Sequence, residues 1–314
     1  MTSPSVTPGR PDPRVTVFRR HQAELGEGVL WHEHRQSLLW VDIERHQLLE
    51  TRLDEDGVRC HEVGQMIGAV VPAAEVQLLV VLHDGAYRFH PDTCTITPFA
   101  RPAVFDRQRL RFNDAKCDPQ GRLWAGTLAL NGERDRAQLY CFDPDGGIRV
   151  MLEPVSLSNG LAWAPDGRTL YYIDTPTRQV QAFDFDPAGG ALRARRIALD
   201  LAPQPGFPDG CTIDREGHLW IAHWGGGCVT CWDPVAARLL DTVFVPASQV
   251  TNCTFGGPAL DQLFITTAAT GLSPEQRAAE PDAGRLFRAR VEARGLPANV
   301  FGLPSSPHRS QAPA

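Results

Sequence analysis

Apolar and polar residues alternate along much of this chain, and one short apolar motif returns six times. The copies are LLWVDI from Leu38, LLVVLH from Leu78, RLWAGT from Arg122, TLYYID from Thr169, HLWIAH from His218 and QLFITT from Gln262. Their starts lie 40, 44, 47, 49 and 44 residues apart. An alternating segment follows each copy: QLLETRLD, GAYRFHPD, QLYCFDPDG, QVQAFDFDP, CVTCWDP and GRLFRARV. Turn sequences such as DPQG, APDG and DREG stand before several of the copies. Apolar runs and alternation of this kind predict β-strands. Helical spacing is nearly absent, with one short exception in SPEQRAAEPDAG, 273–284.

Units of this length holding about four strands each are the signature of a β-propeller. Six units predict an all-β fold, a six-bladed β-propeller spanning 14–302 as a single domain. A β-sandwich would not give evenly spaced copies. The segment RVTVFRR (14–20) is expected to supply the outer strand that closes the last blade. The Pro- and Ser-rich segment 1–13 reads as a disordered leader without the apolar stretch of a secretion signal, and 303–314 as a disordered tail.

The repeat also says where polar residues are out of place. Nine to eleven residues before each copy lies the start of the preceding strand, which in a propeller lines the central channel. The equivalent positions are Glu27, Ile67, Asn113, Asn159, Asp209 and Asn252. Five of these six side chains carry a carboxylate or amide oxygen, and buried polar groups require partners. Five oxygens converging on one channel form a hard-donor set for Ca2+, Mg2+ or Mn2+, with Zn2+ and Fe2+ also accommodated. Taken singly, the Asn-Gly and Asp-Gly pairs at 159–160 and 209–210 also read as turn dipeptides. Arg111 lies two residues before Asn113, so a strand points both the same way. A guanidinium there suits recognition of substrate oxygens.

The chain has 31 Lys and Arg against 37 Asp and Glu, a net charge of −6 that argues against nucleic acid or an anionic membrane as an obligatory partner. No apolar run approaches the roughly 18 residues of a membrane span. Eight cysteines without a secretion signal read as reduced thiols of a cytoplasmic protein. The CVTC run of Cys228 and Cys231 places its sulfurs on opposite strand faces and lacks a second pair, which disfavours a zinc or redox site. Trp40, Trp124 and Trp220 recur at blade positions as core. His83 and His223 end blade strands and read as structural. No GxSxG elbow or Gly-rich phosphate loop is present.

The segments LGEGVLW (25–31), RFNDAKCDPQGRLWAGT (111–127), SNGLAWAPDGRTLYYIDT (158–175), PDGCTIDREGHLWIAHWGGG (208–227) and CTFGGPALDQLFITTA (253–268) together resemble the gluconolactonase family that includes regucalcin, or senescence marker protein-30. The resemblance spans roughly 15–300. It implies a six-bladed propeller with one catalytic divalent ion, held by Glu27, Asn159 and Asp209. It also implies Asp209 as general base and Arg111 and Asn113 as substrate-binding residues. The family's further substrate-contacting Glu falls near Asn131 here and is unmatched, with Glu133 close by.

The expected activity is hydrolysis of a sugar aldonolactone, such as gluconolactone, xylonolactone or arabinolactone, by a monomer or weak homo-oligomer. A broader metal-dependent esterase of the arylesterase or organophosphatase kind is the alternative enzyme reading. A non-catalytic calcium-binding propeller is the alternative outside catalysis.

Overall fold

The computed structural model describes residues 12–74 and 77–305. Its strands form six antiparallel sheets of four strands each. The first strands of the sheets are Gly26–His32, Ile67–Pro72, Leu110–Cys117, Ser158–Trp163, Phe207–Ile213 and Val250–Gly256. Each packs against its counterparts in the preceding and following sheets, and the last packs against the first. The six sheets are therefore blades of a closed ring, a six-bladed β-propeller, and these strands line its channel.

Every apolar repeat copy falls in the second strand of a blade, where both faces are covered by neighbouring sheets. That burial is why these strands read as continuous apolar runs rather than clean alternations. Trp40, Trp124 and Trp220 are at most 3% exposed, as core residues should be. The Nε1 groups of Trp124 and Trp220 donate at 3.0 Å to Asp118 and Asp214 of the preceding DPQG and DREG turns. The turn aspartates thus anchor the repeat as well as shaping it.

The ring closes as the sequence predicts. Val15–Arg19 adds the outer strand to the sixth blade, with Val15 opposite Ala289 and Val17 opposite Phe287. Residues from the two ends of the propeller therefore share one sheet. The one helical exception is also found: Pro274–Ala279 is a short α-helix with Ser273 and Gln276 forming a capping box. No helix among the described residues is long and apolar enough to cross a membrane.

A feature without a strand pattern closes the far end of the channel. Beyond the sixth blade, Gly295 bridges to Asp214 and Phe301 to Ala73. Asn299 Nδ2 donates to Cys117 O at 3.0 Å, and Ser305 N to Pro119 O at 2.7 Å. Residues 303–305, assigned from sequence to a disordered tail, are therefore placed against the third blade. The remainder of that tail, 306–314, and residues 1–11 of the expected leader lie outside the described residues.

Candidate active site

All six equivalent positions sit at a break in strand pairing. The register of each inner strand against its neighbour shifts between Glu27 and Leu30, Ile67 and Ala69, Phe112 and Ala115, Ser158 and Leu161, Pro208 and Cys211, and Val250 and Asn252. A bulge frees residues from the ladder and re-aims their side chains. Repeated in six blades, it turns this level of the channel into a ring of side chains.

Four of the six positions are followed by glycine: Gly28, Gly68, Gly160 and Gly210. Packing explains this better than turn formation, because Asn159–Gly160 and Asp209–Gly210 lie inside strands. A Cβ on Gly68 would stand 2.2 Å from the backbone oxygen of Asn113, and one on Gly210 2.3 Å from Asn252 Cγ. Adjacent inner strands approach too closely for a side chain there.

The polar side chains around the ring are buried and linked. Arg111 Nη1 donates to Asn113 Oδ1 at 2.7 Å and to Phe112 O at 3.0 Å. Asn113 Nδ2 donates to Asn159 Oδ1 at 2.8 Å and to Ser158 O at 2.9 Å. Asn159 Nδ2 donates to Thr175 Oγ1 at 2.8 Å, whose hydroxyl donates to Pro208 O. The Asn159 amide is thus oriented with one oxygen lone pair still open. Across the ring, Asn252 Nδ2 reaches Glu27 Oε2 at 3.4 Å, and Gly28 N donates to the same oxygen at 3.0 Å. Ile67 is fully buried and contributes no oxygen.

Asp114 is the residue the one-position-per-blade count misses. It is 8% exposed, its Oδ1 accepts from Ala115 N, and its charge reaches both Glu27 and Asp209. The sequence signal was present in the consecutive polar residues of RFND. A strand period of two assigns the second of them to the opposite face, and the bulge removes that constraint.

Electrostatics set the character of the site. Burial, then the Asp114 charge, push the Glu27 carboxyl up to about 8. Burial, then Glu27 and Asp114, raise Asp209 well above the carboxylate range, and burial raises Asp114. Burial likewise pulls the Arg111 guanidinium down to about 10, against the opposing pull of Glu27, Asp209 and the exposed Glu44. Three buried carboxylates thus share this level of the channel with the Arg111 guanidinium. Such a group is costly to ionise without further positive charge.

A divalent cation fits that demand. Glu27, Asp209 and the open lone pair of Asn159 form an all-oxygen set of the kind hard cations take. Among the described residues, one trio of acidic, His and Cys side chains brings its ligand atoms within 4.8 Å of one another, namely Asp214, His218 and Cys231. That trio is a turn rather than a site. Asp214 accepts from Glu216 N, His218 N and Trp220 Nε1. Asp118 does the same with Gln120 N, Arg122 N and Trp124 Nε1 in the third blade.

Other sequence candidates stand apart from the ring. Glu133 pairs with Arg136 at 2.6 Å in an exposed turn, and Asn131 Oδ1 accepts from Glu133 N at 3.1 Å. His223 is fully buried, lies 2.7 Å from Thr230 Oγ1, and is pushed down to about 4 by burial. His83 Nε2 lies 3.0 Å from Arg107 O. On the far side of the ring lies a cavity of about 790 Å³ walled by Asp114, Lys116 and Asn252, with residues 296–300 and 303–305 among its lining.

Fold and site together define a six-bladed propeller with a buried, acidic channel. The SMP-30/Gluconolactonase/LRE-like region matches residues 25–269, and the chain belongs to that family. It is 38% identical over 274 residues to a Bacillus subtilis protein provisionally named a sugar lactone lactonase, YvrE, covering 87% of this chain and 94% of that one. It is 35% identical over 287 residues to regucalcin of Danio rerio, covering 90% and 97%. Among solved structures, a calcium-binding regucalcin of Agrobacterium tumefaciens superposes with a TM-score of 0.87 at 26% identity, covering 91% of this chain and 97% of that one. A gluconolactonase of Xanthomonas campestris gives 0.71 at 25% identity, covering 88% of each chain.

Proposed function

We propose that this protein hydrolyses a sugar aldonolactone to its aldonic acid, using one divalent cation held by Glu27, Asn159 and Asp209. The observation that carries the reading is the buried juxtaposition of Glu27, Asp209 and Asp114 with Arg111. Family membership and the names of the relatives support the same reaction class.

When bound, the ion supplies Lewis-acid polarisation of the lactone carbonyl. The chain's own residues account for the remaining chemistry. Asp209 accepts the proton of the attacking water and returns it to the ring oxygen as that oxygen leaves. Arg111 uses Nη1 for Asn113 and Phe112, so its other N–H groups serve the oxygens of the sugar. Both amide hydrogens of Asn113 are engaged and Oδ1 accepts from Arg111, which leaves its second lone pair to accept a sugar hydroxyl. Fixing the substrate in this way lowers the barrier through orientation.

The buried Arg111 favours a hydroxylated substrate over the apolar ester of an arylesterase or organophosphatase, where an unpaired guanidinium would carry a desolvation cost. A non-catalytic calcium propeller has no use for Asp209 as a base. A pH-indicator assay on glucono-, xylono-, arabino- and galactonolactone, with and without added divalent ion after chelation, tests the proposal. Metal-dependent acid release from at least one of them supports it. Acid release from none of the four, with or without ion, overturns it.

A further inference from the structure

The first and second blades meet through a cluster that the channel chemistry does not use. Cys94 is exposed in the turn 91–94 between strands Gly85–His90 and Thr95–Ala100. Its sulfur lies 3.4 Å from Nδ1 of His61 on the outer strand of the first blade, and 3.8 Å from Pro91 O. His61 is 9% exposed, and its ring packs edge-on against Phe89 at 5.5 Å, which fixes its orientation. Its other nitrogen, Nε2, has no partner at hydrogen-bond length and faces Glu50 Oε2 at 3.8 Å.

Glu50 is held as a carboxylate. Burial alone would raise it, but the nearby His61 ring and the hydrogen bonds from Arg35 and Ser37 bring it well below the usual range. Ser37 Oγ donates to Oε1 at 2.8 Å and Arg35 Nε at 2.9 Å. Thiol, imidazole and carboxylate therefore stand in line, with the imidazole oriented by Phe89 and a fixed anion facing its far nitrogen. This is the arrangement that activates a cysteine nucleophile, because the thiolate is the reactive species.

None of the other seven cysteines shares it. Six are buried, and burial pushes Cys141, Cys211, Cys228 and Cys231 up to about 12. Cys60 is exposed, yet burial of its thiol and then the Glu62 carboxylate raise it too. Cys60 points to the opposite face of the same strand from His61.

We propose that Cys94 is a modification site for low-molecular-weight disulfides, activated by His61 and Glu50. His61 Nδ1 takes the thiol proton, and the Cys94 thiolate attacks one sulfur of the disulfide. A new sulfur–sulfur bond forms to Cys94 as the reagent's own bond breaks. The other half departs as a thiolate and receives the proton held by His61. The reagent is the oxidant, and no further co-reactant is needed. The exposed turn gives it access without disturbing the channel.

The test is the rate at which glutathione disulfide modifies each cysteine of the folded full-length protein, followed by peptide mass spectrometry. Cys94 should react about tenfold or more faster than Cys60, as an activated thiolate does. In His61→Gln, with the fold checked by thermal unfolding, the Cys94 rate should fall by about the same factor while Cys60 is unchanged. If His61→Gln does not fold, the wild-type ratio decides. Equal rates at Cys94 and Cys60, or a Cys94 rate indifferent to His61→Gln, would overturn the proposal and leave the contact a purely structural link between blades.

Discussion

Asn113 Nδ2 donates to Asn159 Oδ1 at 2.8 Å across the seam between the third and fourth blades. This bond joins the two halves of the proposed chemistry. Arg111, the proposed substrate-binding cation, donates to Asn113 Oδ1, while Asn159 keeps one oxygen lone pair for the proposed cation site. Substrate binding and ion binding are therefore expected to be coupled through one amide.

Asn113→Ala tests that coupling. It deletes the support of both Arg111 and Asn159 and leaves Ser158 O without its donor. Loss of a buried hydrogen-bonding group typically costs about 1–3 kcal/mol of stability. KM for the lactone should rise and the Kd for the divalent ion should weaken together. A change in KM with an unaltered ion Kd would uncouple the two sites.

Asp209→Asn should separate activity from stability. Removing the general base lowers kcat by on the order of 10²–10⁴-fold. The metal-free fold should become more stable, because a buried carboxylate raised by burial and by Glu27 and Asp114 is replaced by a neutral isostere. Steady-state kinetics and thermal unfolding in chelator read the two effects. Retention of more than about a tenth of wild-type turnover would remove Asp209 from the proton-transfer role.

The metal-free protein should lose stability as pH rises from about 5 to 8. Glu27 titrates at about 8 when folded, against an ordinary value of 4.5, so across that window the folded chain holds a proton that the unfolded chain has released. Stability falls with pH wherever the native state binds more protons. The loss should level off above the folded value, and saturating divalent ion should abolish it, since ligands bind metal deprotonated. Denaturant titrations at several pH values, with chelator and with ion, check the sign.

How much of this was legible in the sequence depended on periodicity. The six blades and the closing strand Val15–Arg19 follow from spacing and alternation. Glu27, Asn159 and Asp209 were found by their equivalent positions and by family resemblance. Asp114, a polar residue of RFND, was left out because the count took one position per blade, whereas the bulge at Asn113 brings two neighbouring residues to the channel. The segment 295–305 was equally silent. It crosses the channel floor through single bridges and backbone contacts, which leave no alternation to read.

Gly68→Ala probes the ring through the blade that donates no oxygen. The added methyl would meet the Asn113 carbonyl, which belongs to backbone and can yield only by shifting the inner strand. Overpacking of this kind costs about 1–3 kcal/mol. Turnover should fall with it, although Gly68 has no side chain to contribute. A variant as stable and active as wild type would contradict the close approach of these strands.

The central claim is that Glu27, Asn159 and Asp209 hold one divalent cation. Calorimetric titration of Ca2+, Mn2+ or Zn2+ into chelator-stripped protein, repeated with Glu27→Gln, tests it most directly. One ion should bind per chain, and Glu27→Gln should weaken it by at least about tenfold, a loss that removing even an outer-shell partner produces. Absence of binding, or a Kd unchanged by Glu27→Gln, would contradict the account.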